Sequence, residues 1–367
     1  MNHDRIFSIS SFEEFEKISI EVFWFQHSNC SVYRQFCDLL KVNPEKVQQI
    51  KDIPFLPIEF FKSKEILAQD NKLPRGKVNE GSTPKFRDQK SQIIKSKKQN
   101  EAELRGMRPE KINKPSLVFT SSGTTGNNTS KHLVSDISLY ERSFITAFNL
   151  FYGIPEDYVI LALLPSYLER EGSSLVYMVN HLIENSRHSE SGFYLNDLEG
   201  LSDTLLSVDS SGKKVLLIGV SFALLDLVEQ HKFKLKNTVI METGGMKGRR
   251  REMIREELHA ILQKGFSVPV IHSEYGMTEL LSQAYSKGNG IFKCPPWMKI
   301  LIRDPEDALT YLEDKKTGGI NVIDLANLYS CSFIATQDLG KKEDDNTTQI
   351  LGRFDNSDVR GCNLMVL

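Results

Sequence analysis

The sequence predicts an α/β protein with a mainly parallel sheet and a smaller antiparallel β subdomain after it. Between residues 158 and 271, short apolar, β-branched runs alternate with stretches of helical periodicity, the pattern of βαβ units. Beyond Gly318 the pattern changes to strand-like runs at 320–323, 332–335 and 349–351 with turns between them. The chain has 367 residues, 40% of them hydrophobic, enough for a sizeable core in one large or two medium domains.

Taken in order, Ser11 followed by Glu14 reads as a capping box, and Phe12, Phe15, Ile18 and Val22 fall on one helical face. Asn43-Pro44 reads as a second helix start, with proline at the first helical position. The apolar stretch 54–61, punctuated by Pro54 and Pro57, reads as packed, non-helical chain. Residues 74–114 hold 12 Lys and Arg against 5 Asp and Glu, with Phe86 as the single aromatic. Such a segment buries too little apolar area to offset chain ordering, so a mobile, solvated insertion is expected. Its positive charge leaves contact with an acidic partner as the other reading.

Residues 133–152 read as a helix capped by Ser135 or Asp136. Strands are then expected at 158–164, 214–218, 238–241 and 268–271. Helices are expected between them at 172–183, 222–231 and 249–263.

Composition excludes several functions. A formal charge of −2 points to no dedicated nucleic-acid or anionic-membrane binder. The longest apolar runs, such as 158–165, are too short to span a bilayer, and the N-terminus lacks the apolar core of a secretion signal. Five scattered cysteines without a Cys-x-x-Cys pair argue for a reducing cytoplasm and against a structural zinc site.

The stretch around which the chain is organised is Ser116-Leu117-Val118-Phe119-Thr120-Ser121-Ser122-Gly123-Thr124-Thr125-Gly126. A short buried strand gives way to hydroxyls and glycines, whose amides and hydroxyls suit a polyphosphate. No Gly-Lys-Ser/Thr follows, so it is not a Walker loop. An ordinary Gly/Ser/Thr turn would read the same way in isolation.

Within that stretch, Thr120 to Gly126 resembles the phosphate loop of the adenylate-forming superfamily, which includes acyl-CoA synthetases, firefly-type luciferases and peptide-synthetase adenylation domains. Four more stretches match in order: Gly244-Gly245-Met246, the octapeptide His272-Ser273-Glu274-Tyr275-Gly276-Met277-Thr278-Glu279, Gln337-Asp338-Leu339-Gly340, and Gly352-Arg353-Phe354-Asp355. Within the superfamily the chain is most similar to the acyl-protein synthetase (LuxE) family, through residues 54–61, 164–170, 241–250 and 356–365.

The resemblance implies the large N-terminal domain of such enzymes, and ATP and Mg²⁺ as cofactors. It gives Ser121 to Gly126 the phosphates, Gly244 and Gly245 the adenine edge, Tyr275 the adenine face, Thr278 a phosphate oxygen and Glu279 the metal. Asp338 is given the ribose hydroxyls, with a plain turn aspartate as the alternative. Arg353 is given phosphate charge and Asp355 a hinge role, with an exposed ion pair as the alternative for both. Glu242 reads as structural, and His272 and Glu274 are given no metal role. Lys131 follows the loop at a longer spacing than the family lysine. The cluster Lys247, Arg249, Arg250 and Arg251 reads as the solvated start of a helix. In the family, 54–61 lies near the acyl pocket; a core role is the alternative.

Full-length acyl-CoA synthetases continue for about a hundred residues past the hinge, enough for a small domain. Here the sequence ends at Leu367, and the expectation is a chain lacking that domain and its lysine, as in acyl-protein synthetases. Their acyl-accepting cysteine is matched by Cys362, a thiol that can attack an acyl-adenylate. Cys30, Cys37, Cys294 and Cys331 read as packing residues.

The implied function is ATP-dependent activation of a fatty or other apolar carboxylic acid, with transfer through Cys362 to an acceptor such as a reductase or carrier protein. The alternatives are a CoA ligase of the phenylacetate-CoA ligase type, and a non-catalytic nucleotide-binding partner. The expected organisation is an N-terminal helical segment (1–73), the basic insertion (74–114), an α/β nucleotide-binding core (115–317), and a β subdomain with tail (318–367). Deleting most of 74–114 is expected to leave ATP–pyrophosphate exchange within a few-fold of the parent; loss of exchange in a well-folded deletion would assign that segment to the site.

Overall fold

The computed structural model describes residues 2–68, 115–121, 129–164, 172–195, 197–246, 250–251, 253–344 and 347–354. The basic insertion 74–114, the loop residues Ser122, Gly123, Thr124, Thr125 and Gly126, and Asp355 and Cys362 lie outside them.

Fourteen strands are described. They are β1 (Leu56–Pro57), β2 (Leu117–Thr120), β3 (Lys131–Val134), β4 (Tyr158–Leu163), β5 (Gly192–Phe193), β6 (Lys214–Val220) and β7 (Thr238–Thr243). There follow β8 (His272–Tyr275), β9 (Ala284–Ser286), β10 (Ile291–Lys293), β11 (Met298–Arg303), β12 (Thr317–Asp324), β13 (Phe333–Asp344) and β14 (Thr347–Arg353). The α/β class is as expected. Strands β5-β4-β6-β7-β8 are parallel, and β8 then pairs antiparallel with β9. From there the antiparallel run β9-β10-β14-β13-β12-β11 continues the same twelve-stranded sheet, while β2 and β3 form a separate hairpin.

The parallel centre owes its position to its sequence. Every residue of β4, and every residue of β6 after Lys214, is buried. Side chains alternate between faces, so both faces are covered. The helices Ile137–Tyr152, Ser174–Ser186, Leu198–Ser210, Ser221–Gln230 and Arg255–Phe266 supply that cover. Local polar groups start several of them: Asp136, Ser173 and Asp197 each accept a backbone N–H from the first turn.

Several expected boundaries move. Residues 133 and 134, expected to open a helix, belong to β3 instead, because their backbone pairs with β2. The helix expected from Gly172 begins at Ser174, since Gly172 sits at φ +87° and its carbonyl accepts the Thr120 N–H at 2.8 Å. A Cβ there would lie 3.0 Å from Thr120 Oγ1, so glycine is what allows that approach. The helix expected from 249 begins at Arg255, after extended Ile254. The strand expected at 268–271 lies instead at His272–Tyr275, where the backbone meets β7. Asn43-Pro44 opens only the 3₁₀ turn Pro44–Lys46, which ends as Val47 turns extended.

The helix Phe12–Asn29 carries Phe15, Ile18 and Val22 inward as read, but Phe12 is 51% exposed, with Lys299 Nζ 4.7 Å over its ring. At its inner face Gln26 Nε2 donates to the carbonyls of Asn327 and Leu328 and to Ser332 Oγ, while its Oε1 accepts the Ser332 N–H. One fully buried amide thus ties the N-terminal helix to the bend between β12 and β13. Gln26→Leu should cost on the order of 3 kcal/mol in urea unfolding, because it leaves buried backbone groups unpaired; a loss below about 1 kcal/mol would show that the tie is replaceable.

Candidate functional site

The parallel strands β7 and β8 are in register, Thr243 opposite Glu274, so they end on the same edge. Ligands of open α/β sheets collect beyond such edges. Gly244 and Gly245 lie just past β7 and are exposed, with Gly244 at φ +70°. Nothing lies within 4 Å of a Cβ built on Gly245, so its backbone is open to a flat ligand.

Tyr275 ends β8, and its hydroxyl donates to Asp338 Oδ2 at 2.8 Å. Asp338 is in mid-strand on β13, paired with Arg353 on β14, which excludes the turn-aspartate alternative. Arg353 Nε donates to Asp338 Oδ1 at 3.3 Å from a side chain that is 76% exposed. Burial pushes the Asp338 carboxyl up, and the Arg353 charge and the Tyr275 hydrogen bond oppose it. Burial and the adjacent Asp338 raise Tyr275 well above the usual phenol range, so it stays a donor. Arg303 lies beneath, its guanidinium donating to the carbonyls of Ile320 and Thr336.

The turn after β8 approaches the base of the hydroxyl-glycine loop. Ser121 and Ser130 face each other there: the Ser121 N–H donates to the Ser130 carbonyl at 3.0 Å, and Ser121 Oγ accepts the Ser130 N–H at 2.9 Å. Glu279 is buried; burial raises its carboxyl, and a hydrogen bond with the Ser130 side chain opposes the rise. Thr278 is half-buried, and its carbonyl accepts from His132 Nδ1 at 2.8 Å.

Of the residues singled out from sequence, Ser121, Gly244, Gly245, Tyr275, Thr278, Glu279, Asp338 and Arg353 fall at this one edge or hairpin base. His272 and Glu274 are part of β8 rather than of a loop. Lys131 is exposed on β3, on the opposite face from buried His132. Arg250 pairs with Asp226 and Glu229 of the helix Ser221–Gln230, a structural use. Residues 54–61 lie beside the site: β1 runs parallel to β13, and Gln337 donates to Glu59. The described cysteines are free and at least half-buried, and burial raises their thiols, in keeping with packing.

Sequence reading missed Ser130, His132, Asp324 and Asn327. Asp324 takes the N–H groups of Leu281, Ser282 and Ala326, and Asn327 Nδ2 donates to the carbonyls of Glu279 and Cys331. The one available signal was a histidine at an inward position of a short strand.

The chain matches no family profile and no curated protein. Solved structures do match in fold. An open conformation of 2-hydroxyisobutyryl-CoA ligase, in complex with 2-HIB-AMP and CoA, aligns over 94% of this chain and 70% of its own, with a TM-score of 0.61 and 12% identity. ATP-bound MatB from Rhodopseudomonas palustris aligns over 64% of this chain at 17% identity and a TM-score of 0.49. This chain spans about half of MatB, 47% of its length.

Two buried carboxyls adjoin the edge. Burial raises Glu242, but His259 and Arg255 hold it below the usual carboxylate range. Glu274 is pushed up to about 7 by burial, against a hydrogen bond from Thr243 and with the Glu242 charge adding to the rise. A carboxyl raised on folding stabilises most below its unfolded pKa, and the contribution is lost as pH climbs through about 7. Glu274→Gln should therefore shrink the loss of stability between pH 5 and 8 by roughly 2 to 3 kcal/mol. Denaturant titrations at both pH values test this, and an unchanged difference would refute it.

Proposed function

We propose that this protein uses Mg·ATP to activate a carboxylic acid as its acyl-adenylate and passes the acyl group to a thiol. The observation that carries the reading is the joining of two half-sites, Tyr275–Asp338–Arg353 and Ser121–Ser130–Glu279. Each Asp338 oxygen keeps a lone pair beyond its present bond, enough for two ribose hydroxyls. Tyr275 and the exposed Gly244–Gly245 backbone offer adenine a face and an edge. Arg353 sits where it can meet phosphate charge.

Glu279 suits Mg²⁺: it is an oxygen donor at the loop base, where its carboxyl accepts hydrogen bonds from the Ser130 side chain and its own backbone N–H. Among the described residues no group of three or more His, Cys, Asp or Glu forms a metal cage. A cation that keeps waters and arrives on substrate phosphates needs none. Bound there, Mg²⁺ supplies charge neutralisation on the phosphates. The acid's carboxylate oxygen attacks the α-phosphorus, the bond to the β-phosphate oxygen breaks, and pyrophosphate leaves. A thiolate then attacks the acyl carbonyl, the bond to AMP breaks, and a thioester forms.

We assign the thiol to Cys362, the acid to the fatty or other apolar class, the onward acceptor to a reductase or carrier protein, and the location to the cytoplasm. The resemblance to acyl-protein synthetases supports these choices. No helix among the described residues is long and apolar enough to cross a membrane. A second reading, an acid–CoA ligase, is favoured by the fold match to a ligase solved with its acyl-adenylate and CoA.

The test separates the half-reactions. Cys362→Ser should keep carboxylate-dependent ATP–pyrophosphate exchange and lose the hydroxylamine-sensitive acyl label. Glu279→Ala should lower exchange by about a hundredfold or more, and the label with it. Full labelling of Cys362→Ser would remove Cys362 from the mechanism, and rapid turnover of that variant with free CoA would select the second reading.

A further inference from the structure

His132 and Asn327 hold two consecutive carbonyls. His132 Nδ1 donates to the Thr278 carbonyl at 2.8 Å, and Asn327 Nδ2 donates to the Glu279 carbonyl at 2.8 Å. The two side chains also face each other, with Asn327 Oδ1 2.9 Å from His132 Nε2. Both are buried, His132 at 0% exposure and Asn327 at 1%. The orientation of the Asn327 amide is fixed, because its nitrogen donates to two carbonyls, those of Glu279 and Cys331. The imidazole therefore lies between two acceptors. With one ring proton it serves one of them, and the Nδ1–H tautomer is the one that holds the turn.

The position of His132 adds the second half of the argument. It is on β3, two residues after Ser130, which closes the loop base with Ser121 and touches Glu279. Phe61 packs edge-on against the ring at 5.7 Å, which limits its rotation. No group in this pair touches Tyr275, Asp338 or Arg353 in the described contacts, so it serves one half-site only.

We propose that His132 and Asn327 are positioning residues: they set the Thr278–Glu279 turn against the base of the loop that starts at Ser121, and so fix how the protein responds to Mg²⁺ without contributing to nucleoside recognition. This rests on the reading of Thr278 and Glu279 as the Mg·ATP side of the site. Side chains that orient a metal-holding group typically change metal response by about tenfold to a hundredfold when removed.

The experiment measures, in the full chain, the Mg²⁺ concentration for half-maximal ATP–pyrophosphate exchange and the dissociation constant for AMP. His132→Leu removes both ring contacts. It should raise the Mg²⁺ requirement about tenfold or more and leave AMP binding within about twofold. His132→Asn places an amide nitrogen near Nδ1 and should stay near the parent. His132→Gln places one near Nε2 and should behave like leucine. Asn327→Asp keeps the oxygen facing the ring, loses both donations, and should also raise the requirement. If the leucine variant does not fold, the asparagine, glutamine and Asn327→Asp variants carry the comparison. Parental Mg²⁺ dependence throughout, or AMP affinity falling in step with the Mg²⁺ response, would overturn the proposal. So would glutamine rescuing where asparagine does not. If the parent exchanges normally, such a failure leaves the function standing; a parent without exchange or ATP binding would remove both.

Discussion

The bend between β12 and β13 is the constraint on which the site depends. Asp324, Asn327 and Ser332 lie within it, all essentially inaccessible to solvent. Asp324 gathers backbone N–H groups from the turn after β8, Asn327 holds one of that turn's carbonyls, and Ser332 is locked to Gln26 on the first long helix. Polar groups so far from water must be paired, and a fully paired network specifies one geometry. The turn that carries Thr278 and Glu279 is therefore shaped by residues some fifty positions further along, as the spacing between Asn327 and Glu279 shows. Trp297 extends the network, its indole N–H donating to Ser143 and Ser282.

The sheet explains why the turn lies where it does. Strand β8 is the last of the parallel set, and β9 returns beside it in the opposite sense, with Tyr275 opposite Ala284. The connection between them needs no crossover helix, so the edge beyond β7 and β8 stays open on that side. Meanwhile β13 and β14 bring Asp338 and Arg353 to face it from the antiparallel half. One continuous sheet thus carries Tyr275, Asp338 and Arg353, and no hinge between separate sheets is needed to join Tyr275 to Asp338.

Much of this was legible in the sequence, for physical reasons. The parallel strands were visible because residues buried on both faces give continuous apolar runs, as in β4 and β6. The motif residues were visible because short stretches with unusual glycine or carboxylate content appear in a fixed order. Boundaries moved where tertiary pairing overrode local preference: β3 formed because β2 offered its edge, and β8 began at His272, where it meets Met241 of β7. Asp338 looked like turn chemistry because Gly340 follows two residues later, yet β12 and β14 flank it on both sides. The buried pair His132 and Asn327 left no periodic trace. Both polar partners of His132, the Thr278 carbonyl and Asn327, are more than a hundred positions away, so its pairing has no local signature.

The attachment of Gln26 to the β12–β13 bend has a further consequence, for the order in which the chain can assemble. A ribosome extrudes the first helix long before residues 327 to 332 exist, since the partners of Gln26 lie about 300 positions later. The same delay applies to β1, whose only strand partner among the described residues is β13. Until then Phe15, Ile18 and Val22 have no completed core to enter, although the parallel strands from β4 to β8 can already pair with one another. Chains stalled before β13 thus lack the partners that Gln26 and β1 take in the folded protein, and present Phe15, Ile18 and Val22 without that cover to chaperones and proteases.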